Sequence, residues 1–398
     1  MENSDRLESD RFRESMITKK KEAIDAVLAV FLVLAVSLPL QGIDTSEIET
    51  VRHKSVLEEA DRQIIDEFLA GAVNELVKTR DFTTVSKIRR DILASRSDQV
   101  QYAEQFSVSA HKHISEGLKA ADELTPKENR FRVVLNLLIL VDGLEDLRLA
   151  DLAIEKLNDE SAAVRYWAVH ALTNSGIKAQ LNSTGGSISQ TGKRIIEGLR
   201  KAVEKSEPEV MELMARFAAD VNVAEGEDLL LDVADARIKR YAEWTARKPL
   251  VDATILELLC KRMISGEAGP KAGRRFGQLY SYVMQKYIKS ISEENFLSPE
   301  EKQQMESVLI ETEQSSVQQL LGTPQSIIRR AVSNGDYRAI QGEHNRLLGE
   351  EGRAGVLALK FNFDYGHNPD GSGRTAPLAL PEPPAGFLQQ KPAPAEQL

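Results

Sequence analysis

The sequence has a single cysteine, Cys260, among its 398 residues, and it has no excess of positive charge. One cysteine excludes an intramolecular disulfide framework and a cysteine-rich zinc site. The net charge of −10 argues against a surface devoted to DNA or RNA, because such a surface needs clustered Lys and Arg to neutralise phosphates. Local basic groups such as Lys271, Arg274 and Arg275 are exceptions. We therefore predict no nucleic-acid partner.

The sequence also lacks a motif that would hold a cofactor or a metal ion. The segment from Gly186 to Arg194 resembles a phosphate-binding loop, but five residues separate its glycines and Arg194 stands where a hydroxyl residue is needed. His111 and His113 are two positions apart, which places them about 200° apart on a helix and prevents joint binding of one ion. We predict no catalytic, cofactor-binding or metal-binding residues and no small-molecule substrate.

An apolar run near the N-terminus extends from Ala26 to Leu40 and follows three lysines, residues 19–21. This is the layout of a secretory signal. As a helix the run would rise about 22 Å, which is short of the roughly 30 Å hydrocarbon core, so a spanning helix is disfavoured. We expect membrane contact only through residues 24–40.

The N-terminal extension, residues 1–42, therefore predicts a location outside the cytoplasm. The protein is expected to be exported, either periplasmic or extracellular, or else anchored to the membrane by an uncleaved signal. Residues 1–15 are polar, so translation is expected to begin at Met16. The alternative is a core helix of a cytosolic protein, although the run has no polar face.

Apolar residues recur with the 3.6-residue period of an α-helix, and no stretch shows a convincing series of alternating strands. The fold class predicted from this pattern is all-α. Helix starts are marked by a hydroxyl residue close to a proline. These starts are Thr125-Pro126, Ser206-Glu207-Pro208, Ser298-Pro299 and Thr323-Pro324.

Three apolar stripes at helical spacing are predicted to face the core. The first is Val164, Ala168, Ala171 and Leu172, the second Ile195, Leu199, Ala202 and Val203, and the third Phe276, Leu279, Tyr280, Val283 and Tyr287.

The most specific pattern lies between Leu149 and Leu172, where a turn acid precedes a helix with small and large apolar residues. Asp159 is placed to cap the second helix, Val164 and Leu172 to enter the core, and Ala168 to let neighbouring helices approach closely. With Arg165 next to Val164, this order resembles a HEAT repeat. The resemblance implies that Arg165 pairs with an acid in the turn.

A weaker unit from 194 to 221 has Met211 in place of the arginine and Lys205 in place of the turn acid. Because single helix pairs cannot bury their own faces, a stack of at least three pairs is required. The resemblance therefore implies an irregular α-solenoid of antiparallel helix pairs, of the HEAT or armadillo kind, over residues 125–350.

The remaining segments flank this repeat domain. Residues 43–124 are predicted to be an N-terminal helical segment. Residues 351–398 are rich in Pro, Gly and Ala after about Asn368, and such a composition buries too little apolar surface to offset its ordering entropy. We predict that this C-terminal tail is mostly disordered.

Tyr166 and Trp167 follow Arg165, and aromatic residues beside arginine are the composition of binding hot spots. At least one of the two is expected to project away from the core stripe; the alternative is that both pack against a neighbouring segment. We predict a non-catalytic scaffold or adaptor that binds another protein in an extracytoplasmic compartment. A membrane-anchored structural protein of the envelope, and an enzyme or ligand binder with a site built from dispersed residues, are the alternatives.

Overall fold

The computed structural model describes residues 43–183, 186–265, 269–293 and 296–385. Within these ranges the chain is almost entirely helical, which confirms the all-α prediction. The only strands in them, β1 (Gly349–Glu350) and β2 (Arg353–Ala354), form a two-residue antiparallel hairpin. The apolar run predicted to be a signal or anchor lies outside the described residues. Among the helices that are described, none has the length and apolarity to cross a membrane.

The helices follow one another with short turns between them. In the first half they are α1 (Ser46–Val51), α2 (Glu59–Lys78), α3 (Phe82–Ala94), α4 (Val100–Asp122), α5 (Lys127–Leu144), α6 (Ala150–Ile154), α7 (Ala162–Thr173), α8 (Ser175–Asn182) and α9 (Gly186–Ala202). In the second half they are α10 (Pro208–Asp220), α11 (Gly226–Ala242), α12 (Leu250–Ser265), α13 (Gly269–Ser292), α14 (Pro299–Thr312), α15 (Gln318–Leu321), α16 (Ile327–Asn334), α17 (Tyr337–Leu348) and α18 (Val356–Phe361). Short 3₁₀ turns precede α6 and α10, and a π-helical turn, Glu313–Val317, joins α14 to α15.

Two series of helices pack side by side through the described residues. In one series each helix contacts the next in the order α3, α5, α7, α10, α12, α14 and α16. In the other the order is α2, α4, the turn leading into α6, α6, α9, α11, α13 and α17. Neighbours such as α6 with α7, α10 with α11 and α12 with α13 join the two series, and their buried apolar residues form one continuous cluster.

The apolar stripes read from the sequence lie in this core. Each residue named in the three stripes is at most 2% exposed, because the 3.6-residue period turns them all toward the facing series. Cys260 is also buried, and burial raises the pKa of its thiol to about 11. An inert thiol is therefore expected at neutral pH.

Three of the four predicted helix starts are confirmed, since α5, α10 and α14 begin at Lys127, Pro208 and Pro299. Ser298 caps α14 as a full capping box, with its hydroxyl accepting from the Glu301 N–H. The Thr323-Pro324 start is wrong, because α16 begins at Ile327. Its cap comes from a residue distant in sequence: the Glu313 carboxylate accepts hydrogen bonds from the N–H groups of Ile328 and Arg329. The other two hydroxyls also fail as caps, since Pro126 and Glu207 occupy the N-cap positions of α5 and α10.

Residues 351–398 are predicted to be mostly disordered, and the structure describes this segment as far as residue 385. After α18 the chain turns back along α13, and Phe363 and Tyr365 become buried against it. They approach so closely that a Cβ on Gly273 or Gly277 would lie 2.5 Å from the nearest aromatic atom. Composition alone misses this because two glycines on a distant helix create the space.

Candidate functional site

Arg165 occupies the position that the repeat pattern predicts, but its partners differ from the implied one. Its Nη1 donates to the carbonyl oxygens of Asp159 and Glu160, at 2.9 and 3.1 Å, rather than to an acid side chain. Its Nη2 reaches the carbonyl of Lys205 at 3.4 Å. The implied pairing of Arg165 with a turn acid is thus replaced by contacts to backbone carbonyls, one of them in the next helical unit.

The Asp159 side chain explains this difference because its oxygens are already engaged. It is buried and accepts from Arg130 Nη2 at 2.8 Å and from the Ser161 N–H at 2.9 Å. Burial disfavours its charge, but these hydrogen bonds outweigh that effect and hold the pKa of Asp159 below its ordinary value. The prediction that Asp159 caps α7 is wrong in detail: Ser161 is the N-cap residue, and Asp159 instead fixes the turn to α5.

Tyr166 and Trp167 are both half-buried on α7. Their rings meet edge to face with centroids 5.6 Å apart, and the His170 ring lies 5.2 Å from that of Trp167. Both residues pack against the core while part of each stays accessible. The expectation that one of them projects away from the core and the alternative that both pack against a neighbouring segment therefore each hold in part.

A face of α5 continues this surface. Phe131, Leu135 and Ile139 recur at helical spacing and are half-buried or, for Phe131, 37% exposed. The same face ends at Asp142, whose Oδ1 lies 2.9 Å from His170 Nδ1 on α7. Because α5 packs against α7, this contact places the two half-buried faces next to each other. We call the surface formed by Phe131, Leu135, Ile139, Tyr166, Trp167 and His170 the aromatic face.

The aromatic face combines apolar carbon at its centre with polar groups at its edge. Its centre presents aromatic and aliphatic carbon, while the His170 imidazole and the Asp142 carboxylate supply polar groups at its edge. Asn174 donates to Asp142 Oδ1 at 3.2 Å and so holds that carboxylate in place. Rigid aromatic anchors with a polar rim are the arrangement found at interface hot spots.

A polar cleft of about 480 Å³ lies between the end of α3, α4 and the turn after α5. Its lining includes charges of both signs, and Ser107 there donates a hydrogen bond to Asp146. Arg96 Nη1 donates to the Gly143 carbonyl at 3.1 Å, so this arginine is partly engaged by the protein itself. Sequence reasoning missed the cleft because its residues are dispersed from Arg96 to Gln180.

An ion pair is fully buried between α11 and α12, which the sequence did not predict. Arg237 and Asp252 are both 0% exposed; Nε and Nη2 of the arginine donate to the two carboxylate oxygens at 2.7 and 2.8 Å. Tyr241 donates to the same carboxylate at 2.7 Å. Although burial opposes its charge, the Asp252 carboxylate raises the pKa of Arg237 above its ordinary value. The only sequence signal is a charged residue within each apolar stripe.

This buried pair also fixes the loop that follows α11. Arg237 Nη2 donates to the Arg247 carbonyl at 3.1 Å. In the same loop Trp244 and Lys248 have φ angles of 59° and 51°, in the left-handed region that side chains other than glycine rarely adopt. Within the described residues, no cluster of three or more His, Cys, Asp or Glu side chains is arranged to hold a metal ion.

Comparison with known proteins gives no relative for this chain: no protein-family model, curated protein or solved structure matches it.

Proposed function

We propose that this protein is a non-catalytic helical scaffold or adaptor that binds another protein through the aromatic face. The supporting observation is that the rings of Tyr166, Trp167 and His170 cluster on α7, while both aromatic residues stay only half-buried beside the half-buried face of α5. Such side chains bury large area at low entropic cost when a partner covers them. A segment with an apolar centre is the partner that this surface fits.

We also propose that the two packed helix series form an irregular α-solenoid of antiparallel pairs, similar to HEAT or armadillo proteins. The order of contacts along each series supports it, as does the bond from Arg165 to the Lys205 carbonyl, which links one helical unit to the next. Stacked pairs give an extended surface suited to holding a partner.

The extracytoplasmic location is a separate proposal that depends on the apolar run from Ala26 to Leu40. N-terminal sequencing of the mature protein from its native host tests it. A new N-terminus near residue 38 or 43 is expected if the signal is cleaved. An intact N-terminus in a membrane fraction would favour the anchored envelope protein, and an intact one in the cytosol would contradict export.

Quantitative affinity capture tests the aromatic face. We expect Tyr166→Ala combined with Trp167→Ala to lose a reproducible protein partner that the wild-type chain retains, by about 10-fold or more, because two anchors each contribute on the order of 1–2 kcal/mol. Phe82→Ala is the matched control, since Phe82 is 67% exposed on α3 and lies outside the aromatic face. Equal recovery from both variants, with matching thermal unfolding, would contradict the proposal.

A ligand-binding role for the polar cleft is the second candidate. Its volume of about 480 Å³ falls within the range of small-molecule sites, and charges of both signs line it. A screen of small zwitterionic and anionic compounds by thermal shift would test this role. Stabilisation that Arg148→Ala abolishes would favour the cleft over the aromatic face as the functional site.

A further inference from the structure

The last described part of the chain lies along α13 without helical or strand structure. We call residues 376–384, Ala-Pro-Leu-Ala-Leu-Pro-Glu-Pro-Pro, the tail segment. It begins beyond Phe363 and Tyr365, which anchor the preceding turn in the core. Four prolines in nine residues prevent helix formation and favour an extended backbone.

Two glutamines of α13 bind the backbone of the tail segment much as a neighbouring strand would. Gln278 accepts from the Leu378 N–H at 2.8 Å and donates to the Leu378 carbonyl at 3.2 Å. Gln285 accepts from the Leu380 N–H at 2.7 Å and donates to the Leu378 carbonyl at 3.3 Å. These bonds recognise an extended main chain and are indifferent to most side chains.

The far end of the tail segment meets an aromatic donor and a cation. Trp244 Nε1 donates to the Pro381 carbonyl at 3.0 Å, and Lys289 forms an ion pair with Glu382. The indole is itself fixed edge-on to Phe296, with ring centroids 5.5 Å apart. We call Gln278, Gln285, Lys289 and Trp244 together the α13 groove.

The spacing of these contacts fits an extended peptide that runs parallel to α13. Gln278 and Lys289 are separated by about 16 Å along a helix. Leu378 and Glu382 are separated by about 13 Å in an extended chain, and the long glutamine and lysine side chains span the difference. The groove therefore matches roughly five residues of extended backbone.

The tail segment is held much more loosely than its anchor. The Leu378 side chain is 46% exposed, and Leu380 is only partly buried against the core, whereas Phe363 and Tyr365 are buried. Its hydrogen bonds are only partly buried, and few apolar contacts with partly exposed hydrogen bonds are the features of a segment that opens locally at low cost. The segment can leave the groove while the turn at Tyr365 stays in place.

We propose that the α13 groove is a binding site for an extended, proline-containing segment of a partner protein. In the absence of the partner, the tail segment of the same chain occupies this site. Trp244 supports this: its φ of 59° lies in the left-handed region that residues other than glycine rarely adopt, and its indole N–H donates to the tail segment. The surface lies apart from the aromatic face, so either proposal can fail alone.

The tail segment itself defines the chemistry of the partner. An aliphatic residue at the position of Leu380 fills the partly buried contact, a proline follows it, and an acidic residue next meets Lys289. The position of Leu378 accepts any side chain, because only its main chain is bound. A partner in trans must compete with a tethered segment whose effective concentration is in the millimolar range.

Fluorescence anisotropy with a labelled peptide of residues 375–385 tests the proposal on the full chain. The release variant combines Leu380→Asp with Glu382→Lys, which places a charge in the apolar contact and repels Lys289. We expect it to bind the free peptide at least about 10-fold more tightly than the wild-type chain does, because the competing tail has left. Leu378→Asp is the matched control and should bind like the wild type, since its side chain is exposed.

Adding Gln278→Ala and Gln285→Ala to the release variant should abolish peptide binding. Equal affinity in the wild-type and release chains would overturn the proposal, as would equal binding of a peptide with aspartate in the place of Leu380. Sedimentation showing that wild-type chains dimerise, with the dimer lost on release of the tail, would assign the groove to a second copy of the chain instead.

Hydrogen exchange on the unmodified protein gives a test that does not depend on any variant folding. Saturating free peptide should displace the tail segment and accelerate exchange at the Leu378 and Leu380 amides, while amides within α13 keep their rates. Unchanged exchange at both amides under saturating peptide would overturn the proposal.

Discussion

The helix pair around Asp159 and the helix pair around Arg237 use charged residues in opposite ways. At Asp159 the charges lie at helix ends, where Arg130 keeps contact with water and Arg165 binds backbone carbonyls. At Arg237 the ion pair with Asp252 is sealed inside the protein. The first arrangement produces a recognisable pattern in sequence, whereas the second leaves almost none.

The charges that are easiest to recognise in the sequence are therefore not those that contribute most to stability. A charge at a helix end can be rehydrated when its partner is removed, so its loss costs little. A charge sealed among apolar side chains cannot, so removal of its partner leaves an unpaired ion in low dielectric. The greatest sensitivity to substitution is therefore expected around Asp252 rather than in the repeat pattern.

The largest effect is expected from Arg237→Met, which leaves the Asp252 carboxylate buried without its cation. We expect a loss of about 3–5 kcal/mol in the free energy of unfolding, measured by urea denaturation. The double variant Arg237→Met with Asp252→Leu should recover much of that loss, because no charge is left to desolvate. If the second substitution fails to recover stability, the loss comes mainly from the missing hydrogen bond between Arg237 and the Arg247 carbonyl.

Glu313→Gln addresses a second buried charge and should have a smaller effect. The carboxylate caps α16 by accepting one backbone N–H on each oxygen, and an amide replaces one of these oxygens with an NH2 group that cannot accept. We expect a loss of about 1–3 kcal/mol. Hydrogen exchange should show it as faster exchange at the first turn of α16; uniform acceleration across the whole chain would contradict a local capping role.

Asp159→Asn tests the helix-end arrangement and should cost about 1 kcal/mol at neutral pH. Because the folded pKa of Asp159 is lowered, its contribution is present above the unfolded pKa near 4 and is lost as pH falls through the folded value. The variant should therefore lose less stability on acidification below pH 4 than the wild type does. Parallel acid unfolding curves for the two proteins would contradict this.

The smallest effect is expected from pH at His344, a buried residue of α17 whose Nε2 lies 2.8 Å from Ser281 Oγ. Burial lowers its pKa, so the unfolded chain binds a proton first as pH falls below about 6.5. Stability should thus decrease slightly between pH 7.5 and 5. His344→Gln should flatten this slope in thermal unfolding; an unchanged slope would assign it to other groups.

Sequence reasoning reached the fold class and much of the core because both follow from local periodicity. The stripe at Val164 and the cap at Ser298 depend on residues within one or two turns of each other. The cap from Glu313, the pair at Arg237 and the docking of Tyr365 depend on contacts between separate elements, which no local pattern encodes. Of the residues in the aromatic face, the sequence pattern indicates Tyr166 and Trp167 but not those of α5.

The two proposed surfaces each contain one of the two tryptophans in the chain: Trp167 lies in the aromatic face and Trp244 under the tail segment. The protein thus has a built-in optical label at each surface. Replacing either indole with phenylalanine leaves a single tryptophan, whose selectively excited fluorescence reports on one surface alone. Occupancy of the two surfaces can be followed separately, in real time, without attaching a dye.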